Sequence, residues 1–359
     1  MSPGRWYPTD TTREVRVIAI DDSVVARRLI QKAIDTEKDL ETVGVAANGR
    51  LGLEKIGRLK PDVVVLDLDM PVMDGLETLA EIRRTAPTLP VVIFSHIDIT
   101  ASAKTMSALS EGPTEFVQKP SSTDTRLGQD YIHTELVPVI RAIAPALTGH
   151  LRAPAMPPKK VPANRPVQFR AVVIAVSTGG PEALASLISG IKTPLAVPVL
   201  IVQHMPPVFT RMLATRLNSL TPCSVSEATQ GQVVVAGNIY IAQGGLHMEV
   251  VRSGDDVVIN LHDGPKENFC RPSADVLFRS AENVYGAGVM GVVLTGMGED
   301  GRRGSEAIVA AGGVVIAQTP ATAVVASMPN SVTSIASAIL PVEAIADEIR
   351  FRVEASRAR

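Results

Sequence analysis

Ala171-Val172-Val173-Ile174-Ala175-Val176-Ser177-Thr178-Gly179-Gly180-Pro181 is the stretch whose reading decides the fold. Its first six residues are apolar without interruption, the pattern of a strand buried on both faces. Ser-Thr-Gly-Gly then supplies a tight turn. Pro181 suits the first position of a helix, where a missing N–H is no loss. A strand running straight into a helix predicts a parallel α/β sheet, with Ser177 at its carboxyl edge, where such sheets hold their sites. Helix-terminal N–H groups beside it favour negative charge. Taken alone, Ser177 reads equally well as the capping residue of a glycine turn. The rest of the chain decides between a cap and a nucleophile.

Downstream, a second strand, Pro198 to Gln203, ends in His204-Met205-Pro206-Pro207. A third buried strand, Gly291 to Leu294, ends in Thr295-Gly296-Met297-Gly298-Glu299-Asp300-Gly301. Helices are predicted at Pro181 to Ile188, Ser273 to Asn283 and Val342 to Val353, and a further strand at Val314 to Ala317. Between residues 223 and 261 the pattern alternates and is richer in glycine. Gly237 to Ala242, Leu246 to Arg252 and Val257 to Leu261 therefore read as short, partly antiparallel strands of an edge ribbon.

Three strand ends thus deliver a serine, a histidine and an aspartate. Acyl transfer to water needs that set: a hydroxyl too weakly acidic to attack unaided, an imidazole to take its proton, and a carboxylate to orient the imidazolium. The glycine-rich turns around Thr178 and Met297 can supply backbone donors to an oxyanion. Each residue has a plainer reading, as cap, core histidine or turn aspartate, which the joint placement outweighs. The chain order Ser, His, Asp and the Ala at position 175 argue against an α/β-hydrolase. His247 and His262 fall in the ribbon, and His133 and His150 outside this half. Cys223 and Cys270 lack metal-site spacing and are expected to be packing residues.

In the first half, strands are predicted at Arg16 to Ile20, Val43 to Ala46, Val63 to Leu66, Val91 to Phe94 and Glu115 to Val117. Helical segments lie between them, from Val24 to Ile34, Leu51 to Leu59, Leu76 to Arg84 and Ala103 to Ser110, with a last one from Tyr131 to Ile143. This is a second doubly wound parallel sheet. Asp21, Asp22 and Asp67 punctuate strand ends at one edge. Three converging carboxylates repel one another unless a cation lies among them, and hard oxygen ligands suit Mg²⁺. Ser95 and Lys119 end two more strands, where a hydroxyl and an ammonium would bind the oxygens of a phosphoryl group on Asp67.

The 359 residues allow about two domains, at 45% hydrophobic and 20% charged residues. A formal net charge of −2 gives no electrostatic case for nucleic acid. No helix-turn-helix pattern follows the linker, which disfavours a DNA-binding regulator. Two cysteines suggest a reducing cytoplasm, and the absence of a long apolar run argues against a membrane span. The expected domains are a tail (1–13), an N-terminal sheet domain (14–147), a linker (148–168) carrying Pro154, Pro157, Pro158, Pro162 and Pro166, and a C-terminal sheet domain (169–356).

Two resemblances follow from these motifs. Asp21-Asp22, the Asp67-x-x-Met-Pro-x-Met-Asp-Gly run, Ser95 and Lys119-Pro120 resemble response-regulator receiver domains with a flavodoxin-like fold, over about Glu14 to Leu147. The resemblance implies that Asp67 accepts phosphate from a histidine kinase and that Asp21, Asp22, Asp67 and the carbonyl of Asp69 hold Mg²⁺. Ser95, Lys119 and Phe116 would sense the phosphoryl group. His96 departs from the small residue usual there. Ser177-Thr178-Gly179-Gly180, Gln203-His204-Met205-Pro206 and Leu294 to Gly301 resemble the chemotaxis protein-glutamate methylesterase family, over about Arg170 to Arg350. So do Gly244-Gly245-Leu246-His247-Met248, Arg271-Pro272-Ser273-Ala274-Asp275 and Ser327-Met328-Pro329. A Rossmann-like Ser-His-Asp esterase domain without a cofactor of its own is implied. Ser177 is then nucleophile, His204 base, Asp300 its orienter, and Thr178 and Met297 lie near the oxyanion.

The implied activity is phosphorylation-stimulated hydrolysis of glutamate γ-methyl esters on chemoreceptors, with deamidation of receptor glutamines. The unphosphorylated receiver is expected to restrict access to the catalytic face. Cys270 stands where the family commonly has histidine, on a substrate-facing loop. The competing expectations are a phosphorylation-dependent binding regulator without catalysis and a serine esterase for a different substrate.

Overall fold

The computed structural model describes residues 14–96, 114–120, 125–144 and 167–357, with backbone alone at 125–127. The expected tail, the helix at Ala103 to Ser110 and most of the proline-rich linker lie outside the described residues. The chain divides into two compact units, Met1–Arg152 and Ala153–Arg359.

The first unit is a five-stranded parallel sheet in the order β2-β1-β3-β4-β5. Its strands are β1 (Val15–Ile20), β2 (Leu40–Ala46), β3 (Val63–Leu66), β4 (Val91–Ser95) and β5 (Thr114–Gln118). β1, β3 and β4 carry valine and isoleucine on both faces because helices cover both sides. Helices α1 (Val24–Asp35), α2 (Gly49–Leu59) and α3 (Gly75–Thr85) begin on Ser23, Asn48 and Asp74, whose side chains each accept a first-turn N–H. Asp74 and Glu77 complete a capping box.

The last helix, α4, starts earlier than expected. It runs Thr125–Tyr131, then a π-turn Ile132–Leu136, then Val137–Ile143. Pro138 has no N–H to continue the α ladder, and the wider turn, with Val137 N–H donating to the Ile132 carbonyl, carries the chain past it.

The second unit is a seven-stranded parallel sheet in the order β14-β13-β12-β6-β7-β9-β8. Its central strands are β12 (Val289–Val293), β6 (Ala171–Val176) and β7 (Val199–Gln203), all buried. Outside them lie β13 (Val314–Gln318), β14 (Ala338–Leu340), β9 (Asn238–Ile241) and β8 (Ser224–Glu227). The stretch at 238–241, expected in the ribbon, pairs parallel with β7 and β8 instead. Its Ile239, Tyr240 and Ile241 are buried, which places it in the sheet. The ribbon proper is a separate antiparallel pair, β10 (His247–Ser253) and β11 (Asp256–His262).

Helices α5 (Gly180–Ser189), α6 (Pro207–Asn218), α7 (Ala274–Tyr285), α8 (Arg302–Ala310), α9 (Ser327–Val332) and α10 (Val342–Arg357) complete the unit. α5 begins one residue before the expected Pro181, on Gly179 at φ 76°. No helix among the described residues is long and apolar enough to cross a membrane.

Candidate active site

β12, β6 and β7 are adjacent in the sheet and parallel, so the segments leaving their carboxyl ends meet at one edge. Ser177 follows β6, His204 follows β7, and Asp300 lies on the turn after β12. His204 N–H donates to the Val176 carbonyl at 3.1 Å, which ties the two turns together. His204 Nε2 and Asp300 Oδ2 are 2.7 Å apart.

Asp300 is only 2% exposed. Its Oδ1 accepts from Asn268 Nδ2 at 2.8 Å, the Ser273 hydroxyl at 2.7 Å and Asp275 N–H at 3.2 Å, and its Oδ2 from Ala274 N–H at 2.6 Å. Two of these donors are N–H groups in the first turn of α7, where the helix dipole favours a negative charge. Burial opposes ionisation of Asp300, but His204 and these donors prevail and hold its carboxyl well below the usual range. Burial likewise opposes the His204 imidazolium, and the Asp300 bond with the Cys270 contact pushes its pKa up to about 10. Asp275, 1% exposed, moves the other way, because burial and the Asp300 charge raise its pKa.

Ser177 is half-buried, and among the described residues its hydroxyl makes no hydrogen bond to His204. Its backbone is held firmly: Ser177 N–H donates to the Thr295 carbonyl at 3.0 Å, and Gln203 Nε2 donates to the Ser177 carbonyl at 3.0 Å. The Thr295 hydroxyl donates to the Thr178 carbonyl at 2.8 Å, and Thr295 N–H donates to Gln318 Oε1 at 2.8 Å. Gln203 and Gln318 end β7 and β13, Thr295 lies just beyond β12, and all three are buried. The backbone N–H groups of Thr178 and Met297 have no acceptor among the described residues. Thr178 is buried and Met297 is 38% exposed.

Because Asp300 holds Nε2, the imidazole nitrogen left for another partner is Nδ1, and Cys270 Sγ lies 3.6 Å from it. Cys270 is half-buried, so it is not the packing residue expected from its spacing, whereas Cys223 is buried. The Glu267–Cys270 turn carries it to His204, 66 positions away in sequence, a tertiary contact that no spacing reveals. Asn268, Ser273 and Gln203 also bear directly on the site. Ser273 and Gln203 lie inside quoted motifs, while Asn268 carried no signal. His247 is buried in the ribbon, where its Nδ1 accepts from Ser273 N–H at 3.2 Å and its Nε2 bonds the Pro265 carbonyl at 2.9 Å. It supports the residue that supports Asp300.

The first unit gathers its own cluster. Asp67 follows β3, Asp21 and Asp22 follow β1, Ser95 ends β4 and Lys119 follows β5. Lys119 Nζ lies 2.5 Å from Asp67 Oδ2 and 2.8 Å from Asp21 Oδ2. Asp21, Asp67, Ser95 and Lys119 are buried, and Asp22 and Asp69 are exposed. Burial raises the Asp21 pKa against the pull of Lys119. Burial opposes the Lys119 ammonium, yet its two carboxylate partners raise its pKa.

One carboxylate oxygen from each of Asp21, Asp22 and Asp67 lies within 4.8 Å of the others, and the buried Ser95 hydroxyl has no hydrogen-bond partner among the described residues. This hard-oxygen set fits a small divalent cation such as Mg²⁺. Phe116 lies half-buried in β5, and His96 is exposed just after β4.

The family model described as CheB methylesterase matches residues 172–349, and that described as response regulator receiver domain matches residues 17–128. The protein-glutamate methylesterase/protein-glutamine glutaminase of Nocardioides sp. is 39% identical, over 96% of this chain and 96% of its own. That of Trichodesmium erythraeum is 41% identical, over 94% of this chain and 99% of its own. The crystal structure of the Thermotoga maritima CheB methylesterase catalytic domain is 37% identical and covers 52% of this chain and 99% of its own, with a TM-score of 0.50.

Proposed function

The chain belongs to the protein-glutamate methylesterase family with a response regulator receiver domain, and on that premise we propose how its residues divide the work. The enzyme hydrolyses glutamate γ-methyl esters on proteins, and its relatives' name adds glutamine deamidation. Ser177 Oγ attacks the ester carbonyl while His204 Nδ1 takes the hydroxyl proton, since Asp300 occupies Nε2. The N–H groups of Thr178 and Met297 stabilise the tetrahedral oxyanion, a role supported by their lack of an acceptor among the described residues. The intermediate collapses, the C–O bond to the methoxy group breaks, and His204 returns the proton to release methanol. Water then repeats the sequence, with its proton passing to His204 and on to Ser177, leaving the free carboxylate.

The His204–Asp300 pair at the strand end next to Ser177 is the observation that carries this reading. The absence of a Ser177–His204 bond fits a site that tightens on substrate.

In the receiver, Asp67 is the phosphoacceptor. Asp21, Asp22, Asp67 and the Asp69 carbonyl would hold Mg²⁺, which when bound neutralises phosphoryl oxygens. Lys119 and Ser95 bind the remaining oxygens, and Phe116 responds to the change. A chemotaxis-type histidine kinase is the phosphodonor, methylated chemoreceptors are the substrate, and the cytoplasm is the compartment.

Methanol release from methylated receptor, with and without a small phosphodonor, tests both halves in wild type and Ser177→Ala. The expected result is stimulated release by wild type and none by the variant. Release surviving Ser177→Ala would assign the nucleophile elsewhere, and none from wild type would overturn the esterase reading.

A further inference from the structure

Phe269 is the most exposed large apolar side chain among the described residues, with 94% of its surface in solvent. It also has φ 63°, and Asn268 before it φ 51°, left-handed values that bulky residues rarely adopt. Glu267 N–H donates to the Cys270 carbonyl at 3.1 Å and Cys270 N–H to the Glu267 carbonyl at 2.9 Å, closing a tight two-residue turn. Such turns favour Asn followed by Gly. Here Asn268 fits, and a phenylalanine takes the glycine position at the tip.

The turn is fixed to the catalytic machinery on both flanks. Asn268 Nδ2 donates to Asp300 Oδ1 and Asp275 Oδ2 at 2.8 Å each, and Cys270 Sγ lies 3.6 Å from His204 Nδ1. Glu267 is held by Arg279 at 2.6 Å. The ring of Phe269 is therefore presented from a braced turn beside the triad histidine.

Two more exposed apolar side chains stand at the neighbouring turns. Met297, 38% exposed, follows Gly296, where a Cβ would come 2.8 Å from Ser177 Cβ. Val324, 40% exposed, packs on the Ser177 turn, 2.6 Å from where a Cβ of Gly179 would lie.

We propose that Phe269 is a specificity-determining residue that, with Met297 and Val324, seats the aliphatic side chains flanking the esterified glutamate of a protein substrate. The inference rests on the methylesterase reading and extends it. An exposed aromatic on a rigid support loses little conformational freedom on binding and gains a large buried area. Binding energy from such a remote contact places the ester carbonyl over Ser177. A small ester lacks the flanking chain and is indifferent to Phe269.

The test uses full-length protein and two substrates: methylated receptor protein, and N-acetylglutamate γ-methyl ester amide. Phe269→Asn removes the ring while tolerating positive φ, and Phe269→Tyr keeps the ring. Phe269→Asn is expected to lower kcat/KM on receptor about tenfold, about 1.4 kcal/mol. Turnover of the small ester should stay within about twofold, and Phe269→Tyr should restore receptor turnover. Equal losses on both substrates would make the turn a support for the triad and overturn the proposal. So would an unchanged receptor rate, or a rise in unstimulated release showing that the ring meets another part of this chain. A wild type releasing no methanol from receptor would overturn the methylesterase reading itself.

Discussion

Asp300 shows how one side chain carries a site through its surroundings. Five donors converge on its carboxylate: His204, Asn268, Ser273 and the N–H groups of Ala274 and Asp275. They keep it ionised in a buried place and fix which imidazole nitrogen faces it. Asp300→Asn removes the charge that stabilises the imidazolium, and kcat for methanol release should fall by about 10²- to 10⁴-fold.

The raised pKa of His204 means the basic form grows as pH rises, so activity should climb through an acid limb above the ordinary histidine range toward about 10. Cys270→Ala removes one contact that raises this pKa, and the limb should move to lower pH in a kcat–pH profile. An unmoved limb would mean that Asp300 alone sets the basicity. Stability at Asp300 runs with pH in the same direction, at a lower range. Its depressed pKa contributes stability that is present above the ordinary value of 3.8 and is lost as pH falls below it. Acid denaturation of wild type and Asp300→Asn should therefore converge at low pH.

At the scale of elements, strand ends and glycine turns set the geometry. Gly180, the first residue of α5, lies against the strand-end side chain that pins Ser177: a Cβ there would come 1.9 Å from Gln203 Oε1 and 2.8 Å from its Cδ. Gly180→Ala must displace Gln203, with a loss of about 1–3 kcal/mol in denaturant unfolding and a fall in methanol release. Apolar runs such as Val63–Leu66 and Ala171–Val176 were legible as buried strands, with boundaries that the structure reproduces. The 238–241 stretch was not. Its alternating pattern fits a ribbon, and its pairing beside β7 depends on which sheet offers an open edge. The π-turn before Pro138 shows the same limit: proline marks the disturbance, and packing decides how the helix absorbs it.

At the scale of the molecule, each unit has its own parallel sheet and its own apolar core. A fragment spanning residues 167–359 should therefore unfold cooperatively and hydrolyse the ester without responding to phosphodonor. In the full chain, Asp67→Asn leaves Ser177, His204 and Asp300 in place and should abolish stimulation by phosphodonors. Persisting stimulation would place the acceptor elsewhere. The sequence by itself determined the two parallel sheets and the placement of Ser177, His204 and Asp300, and of Asp21, Asp67, Ser95 and Lys119, at the carboxyl ends of their strands. Hydrophobic period and strand-to-helix punctuation are local properties of a chain, and residues at the carboxyl ends of parallel strands must share an edge. Only the tertiary structure decided that Asp300 takes Nε2, that Cys270 rather than Ser177 lies against Nδ1, and that Asn268 and Ser273 hold the carboxylate. Those contacts join residues 27 to 96 positions apart, and their geometry comes from how the turns pack against one another at the sheet edge.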